Sequence, residues 1–240
     1  MRVEIWSDIV CPWCYIGKAR FEKALAAFPQ RDQVEVVHRS FELDTTAATS
    51  DESVSVTEML AGKYGMSVAQ AKNAEQSVAD AAAGEGLRYS TDRVNGNTFD
   101  QHRILHLAKG KGRQLEALDA FYRANFADAV PVNDVEGTVA AAVSAGLDEA
   151  EVRATLADPT AFADDVRDDE REAAALGATG VPFFVIDRKY GVSGAQPPET
   201  FAQALSTAWS DSHPTLVTFE GDPSAPECTD DSCVVPGAKD

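Results

Sequence analysis

Apolar and polar positions near the start of the chain follow two different periods. Residues 3–7 and 34–43 are short apolar segments, the second partly alternating, and both predict strands. The segment between them runs from Cys11 to Phe28 with apolar residues at helical spacing and stops before Pro29. A strand, a helix and a strand in this order predict two parallel strands joined by a right-handed crossover.

The remainder of the chain divides into a long helical region and a second group of strands. Residues 44–54 have no periodicity and predict a linker, and residues 55–176 predict a series of helices. After Pro182, apolar segments on either side of a polar turn predict an antiparallel hairpin, and a final amphipathic helix follows it. Along the sequence, therefore, one group of strands precedes a region of about 100 helical residues and a second group follows it.

Charge and apolar content exclude several classes of partner. The 240 residues carry a net charge of −18, which argues against nucleic acid and anionic membranes as partners because both would repel the protein. No apolar run is long enough to predict a membrane span. Met1 and Arg2 lead directly into the first strand, without the apolar core of a signal peptide, so we predict a cytoplasmic protein.

Four residues at the start of the first helix carry the strongest chemical signal: Cys11, Pro12, Trp13 and Cys14. Two cysteines at this spacing can close into a disulfide and reopen, and the positive end of the helix dipole stabilises a thiolate on Cys11. We expect Cys11 to be exposed at the helix cap and Cys14, one turn further on, to be more buried. This asymmetry predicts that Cys11 attacks and Cys14 resolves.

An alternative function for two cysteines at this spacing is half of a zinc site, which requires further cysteine or histidine ligands. His102 and His106 lie four residues apart on one predicted helical face, but two ligands do not make a site and no metalloprotease pattern surrounds them. We therefore predict no metal there.

A second motif supports dithiol chemistry. Gly180, Val181 and Pro182 precede an apolar strand, and a proline at a strand start after a turn predicts a cis peptide bond. An ordinary trans proline in a turn is the alternative.

Three stretches of the chain resemble one family: residues 8–18, 97–103 and 179–184 are similar to the FrnE-type branch of the DsbA-like thioredoxin superfamily, and the resemblance covers about residues 1–210. It implies dithiol–disulfide chemistry, with the cis-proline loop facing the cysteines and the Val181 backbone offered to an extended substrate. Related hydroxychromene carboxylate isomerases and kappa-type glutathione transferases usually have serine at the first cysteine position. This chain keeps both cysteines, which favours redox chemistry.

The fold class implied is α/β: a thioredoxin-like fold with a large all-helical domain inserted between the second and third strands. We predict that residues 1–50 and 177–210 form the thioredoxin-like domain and residues 51–176 the inserted helical domain. Residues 211–240 are acidic and proline-rich and predict a poorly packed tail.

Further candidate residues come from positions near these motifs. Asp8 either accepts the proton of Cys14, as buried carboxylates do in related folds, or caps the first helix. Asn97 and Phe99 match the family's stretch and are candidates, with His102, to line the groove above the cysteines. The alternative for the face of His102 and Phe99 is that it covers the thioredoxin sheet. In the tail, Cys228 and Cys233 form a second close pair, which the resemblance implies is an auxiliary redox or structural disulfide; a free, inert pair is the alternative.

Three functional hypotheses follow. The first is a cytoplasmic thiol–disulfide oxidoreductase or isomerase that acts on protein or peptide thiols and disulfides, without a bound cofactor and with glutathione as a conceivable substrate or reductant. The second is a glutathione-dependent isomerase or transferase on a small aromatic substrate. The third is a non-catalytic module in which the two cysteine pairs share a zinc ion. The sequence favours the first and does not predict an oligomeric state.

Overall fold

The computed structural model describes residues 1–47, 54–131, 134–216 and 219, together with the backbone of residues 228–229 and 232–233. Its strands are β1 (Arg2–Ser7), β2 (Glu35–Ser40), β3 (Val54–Ser55), β4 (Val94–Asn95), β5 (Phe183–Ile186), β6 (Tyr190–Ser193), β7 (Cys228–Thr229) and β8 (Ser232–Cys233). Its α-helices are α1 (Pro12–Ala27), α2 (Val56–Tyr64), α3 (Val68–Gly84), α4 (Phe99–Gly110), α5 (Gln114–Tyr122), α6 (Val135–Ser144), α7 (Glu149–Ala157), α8 (Ala163–Ala175) and α9 (Pro198–Ser212).

The main sheet has the strand order β2-β1-β5-β6. β1 and β2 are parallel, in register from Arg2 opposite Glu35 to Ser7 opposite Ser40, and β5 pairs antiparallel with both β1 and β6. The predicted strand–helix–strand unit and the predicted hairpin are both confirmed, and so is the α/β fold with its central helical region.

One face of this sheet is covered by α1 and α9. Phe21 of α1, Phe184 of β5 and Phe201 of α9 are buried, and their ring centroids lie 4.6–5.7 Å apart. Aromatic contacts of this kind bury large apolar areas and fix the two helices on the sheet. α1, which begins beside the cysteine pair, is therefore held rigidly at its position.

The segment between β2 and β5 is mainly helical, as predicted, but not entirely. β3 and β4 pair antiparallel, with Val54 opposite Asn95 and Ser55 opposite Val94. The prediction of an all-helical insertion was wrong at this point, because strands of two residues are too short to show a period of two. No helix among the described residues is long and apolar enough to cross a membrane.

The C-terminal part of this segment is attached to the sheet by buried polar contacts. The indole Nε1 of Trp6 donates to the carbonyl of Asp169 at 2.8 Å, and the carboxylate of Asp169 accepts from Arg39 at 2.8 Å and from the Ser40 N–H at 2.9 Å. Asp169 is 3% exposed, so these bonds are shielded from water.

Candidate active site

Cys11 stands at the junction between β1 and α1. It is the N-cap residue of α1, with Pro12 in the first helical position, and its carbonyl accepts a hydrogen bond from the Cys14 N–H at 3.0 Å. Pro12 suits this position because the missing N–H would have no partner inside the helix. The local sequence thus places both sulfur atoms at the positive end of α1.

Both cysteines are buried: Cys11 is 4% exposed and Cys14 is 1% exposed. The prediction that Cys11 is exposed was wrong. The reason is the loop before β5, because the Cys11 thiol lies under this loop and donates to the carbonyl oxygen of Val181 at 3.6 Å. Trp13, between the two cysteines, is 44% exposed and forms the rim of the site.

The loop over Cys11 contains a cis peptide bond between Val181 and Pro182, as predicted. Pro182 packs against α1 at Gly17, where a Cβ atom would lie only 3.0 Å from Pro182 Cγ. Gly180 precedes the loop, and open space surrounds the position that its Cβ would take. Gly17 is a site residue that the sequence reasoning missed, although a glycine inside an amphipathic helix is a recognised sign of close packing.

The two sulfurs differ in electrostatic environment. Burial raises the pKa of the Cys14 thiol well above its usual value, and the neighbouring Cys11 raises it further, while a backbone hydrogen bond from Asp8 acts in the opposite direction. Burial also raises the pKa of Tyr122, whose ring lies behind the pair and whose phenol is close enough to sense the charge of Cys14. Cys14 is therefore the thiol that stays protonated, as a resolving cysteine must until it attacks.

Asp8 lies beneath the cysteines and is 1% exposed. Its Oδ2 accepts from the Leu43 N–H at 2.7 Å, and its Oδ1 lies 3.5 Å from Nε2 of His102. The carboxylate is thus directed to the segment after β2 and to α4, so the alternative that it caps α1 was wrong. The Cys11 N–H is bonded to the backbone carbonyl of Asp8 instead, at 3.2 Å.

None of the three residues expected to line the groove reaches the wall of the cavity beside Cys11; Asn97 and Phe99 are half-buried and His102 is buried. Asn97 accepts from the Phe99 N–H at 2.9 Å, and Phe99 lies under the guanidinium of Arg167. His102 is fully buried against Asp8. Periodicity placed all three on or next to α4, but it could not tell which face of α4 meets the cysteines.

A cavity of about 500 Å³ opens beside Cys11 and Trp13. The segment after β2 and helices α2 and α3 form its other walls, with Lys63 and Asp44 near its apolar residues. Sequence reasoning predicted a groove above the cysteines but missed these walls, for which the available signal was the apolar side of α2. The apolar lining of the cavity includes Val10, Leu43, Ala47, Met59, Leu60, Tyr64, Met66, Ala74, Val78 and Val181.

The tail pair, Cys228 and Cys233, is described by its backbone alone. The side chains of Cys228 and Cys233 are outside the described residues, but β7 and β8 pair antiparallel with Cys228 directly opposite Cys233. In the part of the chain where side chains are described, no cluster of three histidine, cysteine or acidic residues has the arrangement of a metal site.

Comparison with known proteins shows the family. Residues 2–206 match the DsbA-like thioredoxin domain. The crystal structure of a probable DsbA oxidoreductase from Streptomyces coelicolor is 63% identical, covers 99% of this chain and 100% of its own, and has a TM-score of 0.85.

Two more distant structures are only 15% identical to this chain, so their similarity shows the fold alone. The cytosolic disulfide reductase DsbM from Pseudomonas aeruginosa, solved with GSH, has a TM-score of 0.60 and covers 87% of this chain and 99% of its own. A 2-hydroxychromene-2-carboxylate isomerase has a TM-score of 0.65, with 88% and 98% covered. The family match spans most of the chain and includes both the cysteine pair and the loop that faces it, so this protein belongs to the DsbA-like thioredoxin domain family.

Proposed function

We propose that the protein is a cytoplasmic thiol–disulfide oxidoreductase or disulfide isomerase of the FrnE type, with Cys11 as the nucleophile and Cys14 as the resolving thiol. The observation that carries this proposal is the 3.6 Å contact between the Cys11 thiol and the Val181 carbonyl, next to a more buried Cys14. The cytoplasmic location is supported by the similarity in fold to a cytosolic disulfide reductase.

The proposed reaction passes through a mixed disulfide. In the oxidising direction, a substrate thiolate attacks Sγ of Cys11 in the Cys11–Cys14 disulfide, and Cys14 leaves as a thiolate that takes up a proton. A second substrate thiolate then attacks the substrate sulfur and releases Cys11, so that two electrons pass from the substrate to the cysteine pair. In the reducing or isomerising direction, the Cys11 thiolate attacks a substrate disulfide instead.

The shape of the site favours a peptide substrate. The Val181 carbonyl lies on the loop that leads into β5 and faces the Cys11 thiol at 3.6 Å, a place where an extended segment can add backbone hydrogen bonds. The apolar groove beside it contains Met59 and Met66, and methionine adapts to side chains of different shape. We therefore propose protein or peptide disulfides whose cysteine has a large apolar neighbour.

The tail pair is proposed as an auxiliary disulfide. Directly opposed residues of antiparallel strands have Cα atoms within the range that a disulfide spans, and Cys228 opposes Cys233. Such a disulfide would either exchange electrons with the pair at Cys11 and Cys14 or fix the tail.

A second candidate function is a glutathione-dependent isomerase or transferase. The similarity in fold to a hydroxychromene carboxylate isomerase and the cavity of about 500 Å³ favour it, because a small aromatic molecule fits such a volume. No cofactor is proposed for either function; glutathione would be a substrate or reductant.

The test is the reduction of insulin by dithiothreitol, followed as turbidity. We expect catalysis by the wild type and by Cys228→Ser, and none by Cys11→Ser, if the tail disulfide is structural. Loss of catalysis in Cys228→Ser as well would make the tail part of the electron path. An inactive wild type, or full activity without Cys11, would overturn the proposal, and retention of glutathione without dithiol turnover would then favour the second candidate.

A further inference from the structure

β2 is an edge strand of the main sheet, and the hydrogen-bonding groups of its outer edge are only partly used. β2 pairs with β1 alone, and the Glu35 N–H donates to the Met1 carbonyl at 2.9 Å. Because backbone groups alternate along a strand, every second residue from Val36 to Ser40 turns its N–H and C=O away from β1. Such an outward row of donors and acceptors is a template for another extended chain.

Side chains already occupy the C-terminal half of this edge. The amide of Gln114, at the start of α5, donates to the His38 carbonyl at 3.1 Å, and the Asp169 carboxylate accepts from the Ser40 N–H at 2.9 Å. The Gln114 side chain uses an amide N–H, the same group that the backbone of an added strand presents. Toward the start of β2, the N–H and C=O of Val36 and the N–H of His38 have no partner among the described residues.

A crevice of about 370 Å³ runs along this open part of the edge. Four consecutive residues, 35–38, line it although their side chains alternate between the two faces of the sheet, so the crevice follows the backbone of β2. Its other walls include Phe21 and Leu25 of α1 and Leu115 of α5. This β2 crevice shares no lining residue with the cavity beside Cys11.

The charged residues of the β2 crevice favour a basic occupant. Glu22, Glu35 and Glu116 line it, and each of these side chains is about half exposed or more. Two lysines also line it, but the Lys18 ammonium is buried against Glu22 at 2.5 Å, which leaves Lys109 to offset the other carboxylates. Glu35 and Glu116 each contact one arginine, at 3.9 Å and 3.4 Å, and exposed pairs of this kind contribute little. The net charge of −18 acts in the same direction.

We propose that the β2 crevice binds a short extended peptide segment, which adds to the edge of β2 at Val36 and presents basic side chains to the carboxylates of the crevice. A residue directly opposite Val36 donates its N–H to the Val36 C=O and accepts from the Val36 N–H. Its side chain lies on the same face as Val36, which packs against the apolar cluster under α1, so an apolar side chain fits there. Its two neighbours point to the opposite face, as Glu35 does, and basic residues fit there.

This inference goes beyond the proposed function and does not depend on it, because the segment binds without any covalent bond being formed or broken. The test is a titration of the full chain with the peptide acetyl-Lys-Val-Lys-amide, followed in ¹⁵N–¹H correlation spectra. The peptide contains no sulfur and cannot react with Cys11. We expect saturable shifts that are largest at the amides of Val36 and His38.

Two modified peptides separate backbone pairing from charge. An N-methyl group on the central residue removes the N–H that the Val36 C=O accepts, and this peptide should bind about fivefold to tenfold more weakly. A peptide with glutamate in place of both lysines should give no saturable shift at Val36, because its charges repel the carboxylates of the crevice.

Variants of the protein test the same surface. Val36→Pro removes the Val36 N–H and should weaken binding, and proline is accepted on an edge strand where the N–H faces outward. Glu116→Lys reverses one lining charge without touching the sheet and should weaken binding by about threefold to tenfold. Glu199→Lys is the matched control: it makes the same change in net charge at an exposed residue in the first turn of α9, outside the crevice, and should leave the affinity unchanged.

Four results would overturn the inference: no saturable shift in β2, largest shifts at Val181 instead, equal affinity of the N-methyl peptide, or equal losses in Glu116→Lys and Glu199→Lys. If a second copy of this chain occupied the edge, sedimentation would show a dimer that Val36→Pro dissociates, and this too would overturn it. Failure of the proposed dithiol function is measured separately, by insulin reduction, and leaves the peptide titrations unchanged.

Discussion

The thiol of Cys11 and the carbonyl of Val181 are in contact at 3.6 Å, although 170 residues separate them in the chain. The contact joins the start of α1 to the loop before β5. It shields the sulfur from water and at the same time places a backbone acceptor next to it. A substrate that adds to this loop as an extended segment is thereby aligned with its own sulfur near Cys11.

The burial of Cys14 leads to a prediction about trapping. Replacing Cys14 with serine leaves Cys11 able to attack but removes the group that resolves the mixed disulfide. We expect Cys14→Ser to accumulate covalent complexes with cellular proteins, visible on non-reducing gels and released by dithiothreitol. Cys11→Ser is the control and should form none; complexes of equal yield in both variants would mean that Cys11 is not the attacking thiol.

The close packing of Pro182 on Gly17 predicts that a larger side chain at this position of α1 displaces the cis-proline loop. A Cβ atom there would meet Pro182 Cγ at 3.0 Å and Ala195 at 3.3 Å. Gly17→Val should displace the loop from Cys11. We expect insulin reductase activity to fall by about tenfold, because a shift of the loop by about 1 Å or less already misaligns the substrate with Cys11. Gly62→Val in α2 is the matched control, because no atom lies within 4 Å of its Cβ position. Equal activity in the two variants would show that the loop does not depend on Gly17.

Much of the sheet could be predicted because its signals are local. The period of two in residues 34–43, the proline after Phe28 and the polar turn near Asp187 each mark an element or its end without reference to the rest of the chain. The pairing of these strands could be predicted from the elements that connect them. The two-residue strands β3 and β4 had no such signal, since their pairing depends on how α2 and α4 are placed.

The site could be predicted only in part. The cysteines and the proline are recognised by their spacing, but the burial of Cys11 comes from Val181, which is distant in the sequence. The contact between Asp8 and His102 likewise depends on the rotation of α4 about its axis. Contacts across the insertion are tertiary, and neither composition nor period specifies them.

The apolar groove predicts a preference among substrates. Leu60 is a groove residue, and an aspartate there would remove apolar contact area and add a charge that repels acidic peptides. We expect Leu60→Asp to lower kcat/KM for a peptide disulfide with apolar flanking residues by about tenfold, equivalent to about 1.4 kcal/mol. The rate with a small disulfide such as cystine should stay unchanged. Leu115→Asp, at a half-exposed leucine of α5 away from the groove, should affect neither substrate.

The buried contact between Arg39 and Asp169 predicts a stability effect without a direct effect on the cysteines. Asp169→Ala would leave the Arg39 guanidinium and the Ser40 N–H without this partner, and breaking a buried pair of this kind costs about 3–5 kcal/mol. Urea unfolding should show this loss. The neighbouring Asp168 is 67% exposed, so Asp168→Ala should change the free energy of unfolding by less than about 1 kcal/mol. Similar losses in both variants would mean that Asp169 contributes no more than a surface carboxylate.

His38 of β2 predicts how stability changes with pH. Burial, together with the nearby Lys18 ammonium, lowers the pKa of His38 from 6.5 to about 3. The folded protein therefore holds this imidazole neutral, while the unfolded chain binds a proton below pH 6.5. The contribution of His38 to stability is complete above pH 6.5 and is lost as the pH falls from 6.5 toward 3.

At pH 5 this loss amounts to about 2 kcal/mol. We expect the free energy of unfolding of the wild type to fall by that amount between pH 7.5 and pH 5, relative to His38→Leu, which cannot titrate at this position. His38→Gln separates titration from hydrophobicity: it should be less stable than His38→Leu at every pH but should show the same weaker pH dependence. A pH dependence that is identical in the wild type and both variants would mean that His38 is protonated equally in the folded and unfolded states, and its burial in β2 would then have no effect on its charge.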